Sequence, residues 1–156
     1  MRIINVTDLT GEAFEAYGEV VVPARITTRV DRVARLENKR DHAEPNLFMV
    51  TTTTTSVPHR FDKMESHPDS SQTFLPFAAT PILIAVALPG PDGQPNLSTL
   101  KGFLASGAGF SYRAGVWHLP LASLGEPVAA AGFMYEDGTS RDCVWADVEP
   151  VTLVRD

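Results

Sequence analysis

The chain has 156 residues, 44% of them hydrophobic and 21% charged, which suits a single soluble domain over residues 1–156 rather than a disordered chain. The 13 Lys and Arg stand against 19 Asp and Glu, a formal charge of −6. That balance argues against a nucleic-acid partner held by its phosphates, and it offers no attraction to an anionic membrane.

Cys143 is the single cysteine, so no internal disulfide and no multi-thiolate zinc site can form. This composition fits a reducing, cytoplasmic setting. The opening MRIINVTDLTGEAF is too polar for a secretory signal.

In chain order, Thr10 can cap a short helix with Glu12 in its first turn and Gly18 as its stop. Phe14 and Tyr17, three apart, would share its inner face. Glu19–Val22 reads as a strand. Arg25–Arg40 mixes helical and alternating spacings and stays undecided. Leu47–Val57 contains the threonine run 51–55 and reads as one strand, because β-branched residues favour strands. The polar stretch that follows turns at Pro68 and becomes apolar at Phe74–Phe77. Pro81–Leu88 is apolar on both faces and predicts a central, doubly buried strand, far short of the ~20 residues of a membrane span. Pro89–Asn96 is a turn. Leu97, Leu100, Phe103 and Leu104 have the spacing of a short helix. Val128–Tyr135, Cys143–Val148 and Val151–Val154 read as closing strands. Many short strands with one or two short helices suggest a closed or sandwiched antiparallel β-barrel.

No phosphate-loop, dinucleotide-binding, zincin or nucleophile-elbow motif is present. Two stretches carry chemistry. The first, Glu65-Ser66-His67-Pro68-Asp69-Ser70-Ser71-Gln72, packs carboxylates, an imidazole, hydroxyls and an amide around a proline turn. The second runs from Phe110 to Pro120 and contains Tyr112, Arg113, Trp117 and His118. Histidine can serve as base, acid or metal ligand near neutral pH, and arginine can grip a carboxylate with two bonds. The plainer readings are a hydrated surface turn for the first and a core Trp beside an interior His for the second. On a strand Trp117 and His118 point to opposite faces. His42 and His59 read as exposed. Glu136, Asp137, Arg141 and Asp142 read as a solvated hairpin loop, and Arg29, Arg32 and Arg35 as a solvated face.

Together the two stretches resemble the ureidoglycolate lyase family. Its first motif is Glu-Arg-His-Pro-x-x-Ser-Gln-x-Phe-x-Pro, and residues 65–76 here read ESHPDSSQTFLP. Its second is Gly-x-x-Tyr/His-x-x-Gly-Val-Trp-His-His-Pro-Leu, and residues 109–121 read GFSYRAGVWHLPL. Leu9–Val20, Arg29–Leu36 and Phe133–Cys143 fall in the family's order too. Ser66 replaces the family's usual Arg, Leu119 replaces a frequent second His, and Tyr135-Glu136-Asp137 replaces an acidic-Arg pattern. The resemblance implies a cupin-like antiparallel β-barrel, commonly a homodimer, that splits ureidoglycolate into glyoxylate and urea in allantoin breakdown. On that resemblance His67 or His118 would serve as the base or acid, with Arg113 or Arg29 on the substrate carboxylate. Ser71 and Gln72 would bind its oxygens, and Trp117 and Phe74 would shape the pocket. A divalent ion on His67, Gln72 and His118 is compatible with those ligand types. A barrel that binds a small carboxylate without chemistry is the alternative, as is a lyase or hydrolase for another ureido or hydroxy acid.

Overall fold

The computed structural model describes residues 2–23 and 29–156. The strands are β1 (Arg2–Asp8), β2 (Gly18–Val21), β3 (Glu44–Thr51), β4 (Thr53–Thr55), β5 (His59–Ser66), β6 (Gln72–Pro76), β7 (Ile82–Pro89), β8 (Pro95–Ala105), β9 (Gly109–Tyr112), β10 (Trp117–His118), β11 (Ala122–Leu124), β12 (Ala129–Glu136) and β13 (Val144–Val154). The helix α1 (Gly11–Phe14) is a single turn, capped as the sequence predicts by the Thr10 hydroxyl, which accepts from the Ala13 amide at 3.2 Å. Phe14 and Tyr17 are both buried, with ring centroids 6.0 Å apart.

Six strands close on themselves in the order β10-β5-β13-β1-β8-β7, because the short β10 pairs with both β5 and β7. A second sheet runs β2-β9-β6-β12-β3. The expected cupin-like barrel is present, with mixed pairing: β1 runs parallel to β13 and β8, and β11 parallel to β4.

β7 organises the interior. Its alternate residues Leu83, Ala85 and Ala87 join a cluster drawn from all six ring strands, including Val6, Phe61, Leu104, Trp117 and Val151. Ile82, Ile84 and Val86 face the other way, into a cluster with Phe14, Phe74, Phe110 and Tyr112 between the ring and the second sheet. The strand is thus buried on both faces, as its apolar run predicts. The candidate site residues come from β5 and β10 of the ring and from β6 and β9 of the second sheet, and so lie at the seam between these two layers.

The helix expected at Leu97–Leu104 is instead the strand β8, paired antiparallel to β7. A bulge between Val86 and Leu88 shifts the register, so Leu97 packs against the same cluster as Leu100 and Leu104. Phe103 faces the opposite cluster. The bulge reproduces a three-residue spacing without a helix. Likewise, Val144–Val154 is one strand with a register shift between Asp147 and Val151, at Pro150, rather than two strands. The expected Leu47–Val57 strand breaks at buried Thr52, whose hydroxyl lies 2.6 Å from the Ser123 hydroxyl and accepts from the Val128 amide at 2.8 Å. Its halves enter different sheets. The undecided segment holds neither helix nor strand over residues 29–40, apart from one bridge between Asn38 and Ser70. Arg25 and Ile26 lie outside the described residues.

Candidate active site

β5 delivers Glu65 and, just past its end, His67. β10 delivers His118 directly opposite Glu65 in the antiparallel register. β6 and β9 deliver Gln72 and Tyr112, which also pair with each other. Cross-strand partners share a face, so these pairings gather the side chains from four separate strand regions. One ligating atom each from Glu65, His67 and His118 lie within 4.8 Å of one another. The two imidazole centroids are 5.3 Å apart, and Tyr112 stacks on His118 at 4.2 Å with the planes 10° apart. Phe74 backs Tyr112 at 6.5 Å.

Hydrogen bonds fix both tautomers. His67 Nδ1 lies 2.6 Å from the Asp142 carbonyl oxygen, and His118 Nδ1 lies 3.0 Å from that of Leu119. A carbonyl can only accept, so each Nδ1 carries the hydrogen and each Nε2 keeps a lone pair. Both Nε2 atoms are buried with no hydrogen-bond partner, and so is Gln72 Oε1. The Gln72 amide nitrogen points instead to the Met134 sulfur, 3.7 Å away. Two of these unpartnered acceptors share one cluster and the third lies on the neighbouring strand, and buried acceptors left so are costly unless a ligand satisfies them.

The electrostatics keep the cluster weakly charged. Burial, helped by His67, pushes His118 down to about 3, so it is neutral. Its 3.7 Å approach to Glu65 Oε1 is therefore not an ion pair. Burial raises the Glu65 carboxyl, against the opposing pull of His67 and of the Cys143 thiol. Burial and the adjacent Glu65 push that thiol up to about 12, so it stays protonated and donates to Glu65 Oε2 at 3.6 Å. Tyr112 is raised by burial and by Glu65 and remains a neutral hydroxyl.

Of the residues expected at the site, His67 and His118 converge, Gln72 stands in register beside Tyr112, which stacks on His118, and Phe74 packs behind Tyr112. The others do not join them. Trp117 lies in the ring cluster, opposite to His118, and its indole N–H donates to the Gly93 carbonyl at 3.0 Å. Arg113 turns to a separate cleft with Glu12, Glu15 and Glu19. Arg29 is exposed and pairs with Asp31 at 2.7 Å. The Ser71 hydroxyl accepts from the Glu37 amide at 2.8 Å. In each of the first two cases a step of one residue from Tyr112 or His118 puts the side chain on the other face. Two of the three sequence departures are also off the cluster: Ser66 pairs with Trp117, and Leu119 packs in the ring cluster. Glu65 and Tyr112 were not singled out as site residues. The signal for Glu65 was its position two before His67, which strand alternation places on the same side. His42 is exposed as expected, whereas His59 is half-buried against Thr55.

A family profile described as ureidoglycolate lyase matches residues 1–154. A protein of Agrobacterium fabrum, provisionally named a ureidoglycolate lyase, is 36% identical over 145 residues, covering 92% of this chain and 90% of its own. A ureidoglycolate lyase of Pseudomonas aeruginosa (strain LESB58) is 30% identical over 134 residues, covering 80% and 78%. Among solved structures, a dTDP sugar isomerase of Desulfovibrio desulfuricans G20 superposes with a TM-score of 0.53 at 12% identity, covering 83% of each chain; that likeness concerns the fold alone. The match along almost the whole chain and these relatives agree with the two motifs around His67 and His118: the chain belongs to the ureidoglycolate lyase family.

Proposed function

We propose that this protein is a carbon–nitrogen lyase of the amidine-lyase class that cleaves ureidoglycolate to glyoxylate and urea, a step of allantoin nitrogen salvage. The observation that carries this reading is the trio of buried, unpartnered acceptors, His67 Nε2 and His118 Nε2 clustered with Glu65, and Gln72 Oε1 on the strand paired to Tyr112. Ureidoglycolate is an anion, and the two arginines expected to meet its carboxylate face elsewhere. The trio fits a divalent cation: neutral imidazoles whose Nδ1–H groups are held by carbonyls are well-oriented ligands. Bound there by His67, His118 and Gln72, the cation would supply the positive charge that the substrate's carboxylate and hydroxyl oxygen require.

The chain's own groups handle the proton. Glu65, raised by burial, takes the proton from the carbinol hydroxyl. The oxygen electrons form the aldehyde, the C–N bond breaks, and the proton returns to the nitrogen that leaves in urea. Tyr112, stacked on His118 and kept protonated, supplies a neutral donor to oxygen as charge develops. The protein acts as a cytoplasmic homodimer in this proposal. Its single thiol suits a reducing compartment. Among the described residues no helix is long and apolar enough to cross a membrane.

The test is to incubate metal-stripped and reloaded protein with racemic ureidoglycolate and follow glyoxylate, urea and ammonia. Equal glyoxylate and urea from one enantiomer, restored by a divalent ion, is the expected result. Full turnover by stripped protein would make His67 Nε2 the base instead. No product under either condition would overturn the lyase reading and leave a carboxylate-binding barrel. Glu65→Gln should lower kcat by about 100-fold or more while cation affinity persists.

A further inference from the structure

Arg40 touches none of the clustered side chains, yet it closes the support beneath one of them. One guanidinium nitrogen, Nη1, donates to Asp142 Oδ1 at 2.8 Å and lies 2.9 Å from Asp137 Oδ1. The other, Nη2, donates to the Tyr135 carbonyl at 2.9 Å. Both carboxylates are mostly shielded, as is the arginine, whose side chain is 13% exposed. The Asp142 carboxylate also accepts from the amides of Asp137 at 3.0 Å and Gly138 at 2.7 Å. The same residue's main-chain carbonyl is the one that receives His67 Nδ1–H.

Arg40 is itself anchored. Lys39 donates its amide to the Asp69 carbonyl at 2.8 Å. Glu37 and Ser71 exchange two bonds, amide to hydroxyl at 2.8 Å and amide to carbonyl at 3.1 Å. Glu37 Oε2 accepts from the Ala114 amide at 2.7 Å. Residues 37–40 therefore strap together three loops: the one that follows His67, the one that precedes His118, and the 137–142 loop that holds His67 in place.

We propose that Arg40 is a positioning residue for His67: through Asp142 it fixes the carbonyl that keeps the hydrogen on Nδ1 and the lone pair of Nε2 in the cluster. Without Arg40 the Asp137 and Asp142 carboxylates face each other with no cation between them. Their repulsion opens the loop and moves the carbonyl away from Nδ1. His67 then loses its reason to prefer one tautomer. This rests on His67 being a working group of the proposed site. Its tautomer is measured without substrate or cation, so failure of the lyase reading and failure of this one are separate results.

The experiment is a long-range 1H–15N correlation spectrum of histidine-labelled, chelator-treated full-length protein. Wild type should show His67 in the Nδ1–H form. Arg40→Gln should weaken that preference about tenfold, as expected for one lost hydrogen bond, with both tautomers visible. Arg141→Gln is the control: Arg141 lies on the same 137–142 loop, and its loss breaks the 2.8 Å pair with Asp69 on the loop after His67 but should leave the His67 tautomer unchanged. A folded Arg40→Gln protein with the wild-type His67 tautomer would overturn the proposal. If that variant does not fold, Asp142→Ala removes the side-chain acceptor from the other side while leaving the main-chain carbonyl in the chain. An unchanged tautomer there overturns the proposal equally.

Discussion

Burying His118 has a consequence for stability that the site's chemistry does not require. In the fold its imidazole resists protonation until about 3, whereas the unfolded chain takes that proton near 6.5. Between those values the unfolded state binds more protons, so stability rises with pH across the window and is lost on acidification. The limiting slope is about 1.4 kcal/mol per pH unit. His59, also lowered by burial, acts in the same direction, while Glu65, raised by burial, opposes it. The His118 share is therefore the difference between wild type and His118→Gln in urea melts of chelated protein from pH 6.5 to 4.5. Wild type should lose stability over that range faster than the variant. Parallel pH dependences would mean that His118 is not held neutral. At this scale the sequence was informative about residue type and poor about direction. His67, Gln72 and His118 stood out because buried polar groups are scarce and theirs fall in two spaced motifs. Arg113 and Trp117 point away from the histidines because strand direction reverses at every residue, and Trp117 packs as the core residue of its plainer reading.

The strands of the second sheet approach one another closely at Gly132 on β12. A Cβ built there would lie 2.3 Å from the ring of Phe48 on β3, which itself packs edge-on to Phe74 at 6.2 Å. Gly132→Ala should therefore cost about 1–3 kcal/mol by overpacking, since the ring must shift away from Phe74. Shortening the ring in Phe48→Leu should make the alanine cheaper than in wild type, a non-additivity that denaturant melts of the two single variants and the double variant would read. Additive costs would show that Phe48 does not limit the space. The elements most legible in the sequence were those with one uninterrupted signal. β7 was recognisable because both its faces are apolar, and α1 because Thr10 and Glu12 are typed for a helix start. β8 was misread for a physical reason: its bulge imposes helix-like spacing on Leu97 and Leu100, and nothing local announces a bulge. β10 was equally hidden. It has two residues, and it becomes a strand only because β5 and β7, distant in sequence, bracket it.

The whole molecule draws its candidate site groups from one chain, and among the described residues its second sheet ends at β2 on one side and β3 on the other. Among the described residues β3 is the last strand of the second sheet, so one row of its backbone groups faces outward without a strand partner. It carries no lysine, and Leu47 and Met49 on its outer side are 75% and 63% exposed, beside Phe133 and Ala131 on β12. Edge strands of monomers are commonly blunted by charge or bulges. This one opens with Glu44, Pro45 and Asn46, and only its second half, from Leu47 to Thr51, offers the apolar stretch that an antiparallel copy of itself would complete, since such a pairing is its own two-fold complement. The proposed homodimer would then join two five-stranded sheets through β3. Light scattering of wild type at micromolar concentration should give twice the chain mass, and Leu47→Lys with Met49→Lys should give the single mass with an unchanged circular dichroism spectrum. Glu65, His67, Gln72, Tyr112 and His118 all come from one chain, and on the second sheet Gln72 and Tyr112 align with Asn46, so strand alternation puts them on the opposite face from Leu47. The monomeric variant should thus retain glyoxylate release within about twofold, surface changes away from a site being near neutral. A wild-type protein that scatters as a monomer would remove the dimer. A lysine variant that stays dimeric would move the interface to another surface.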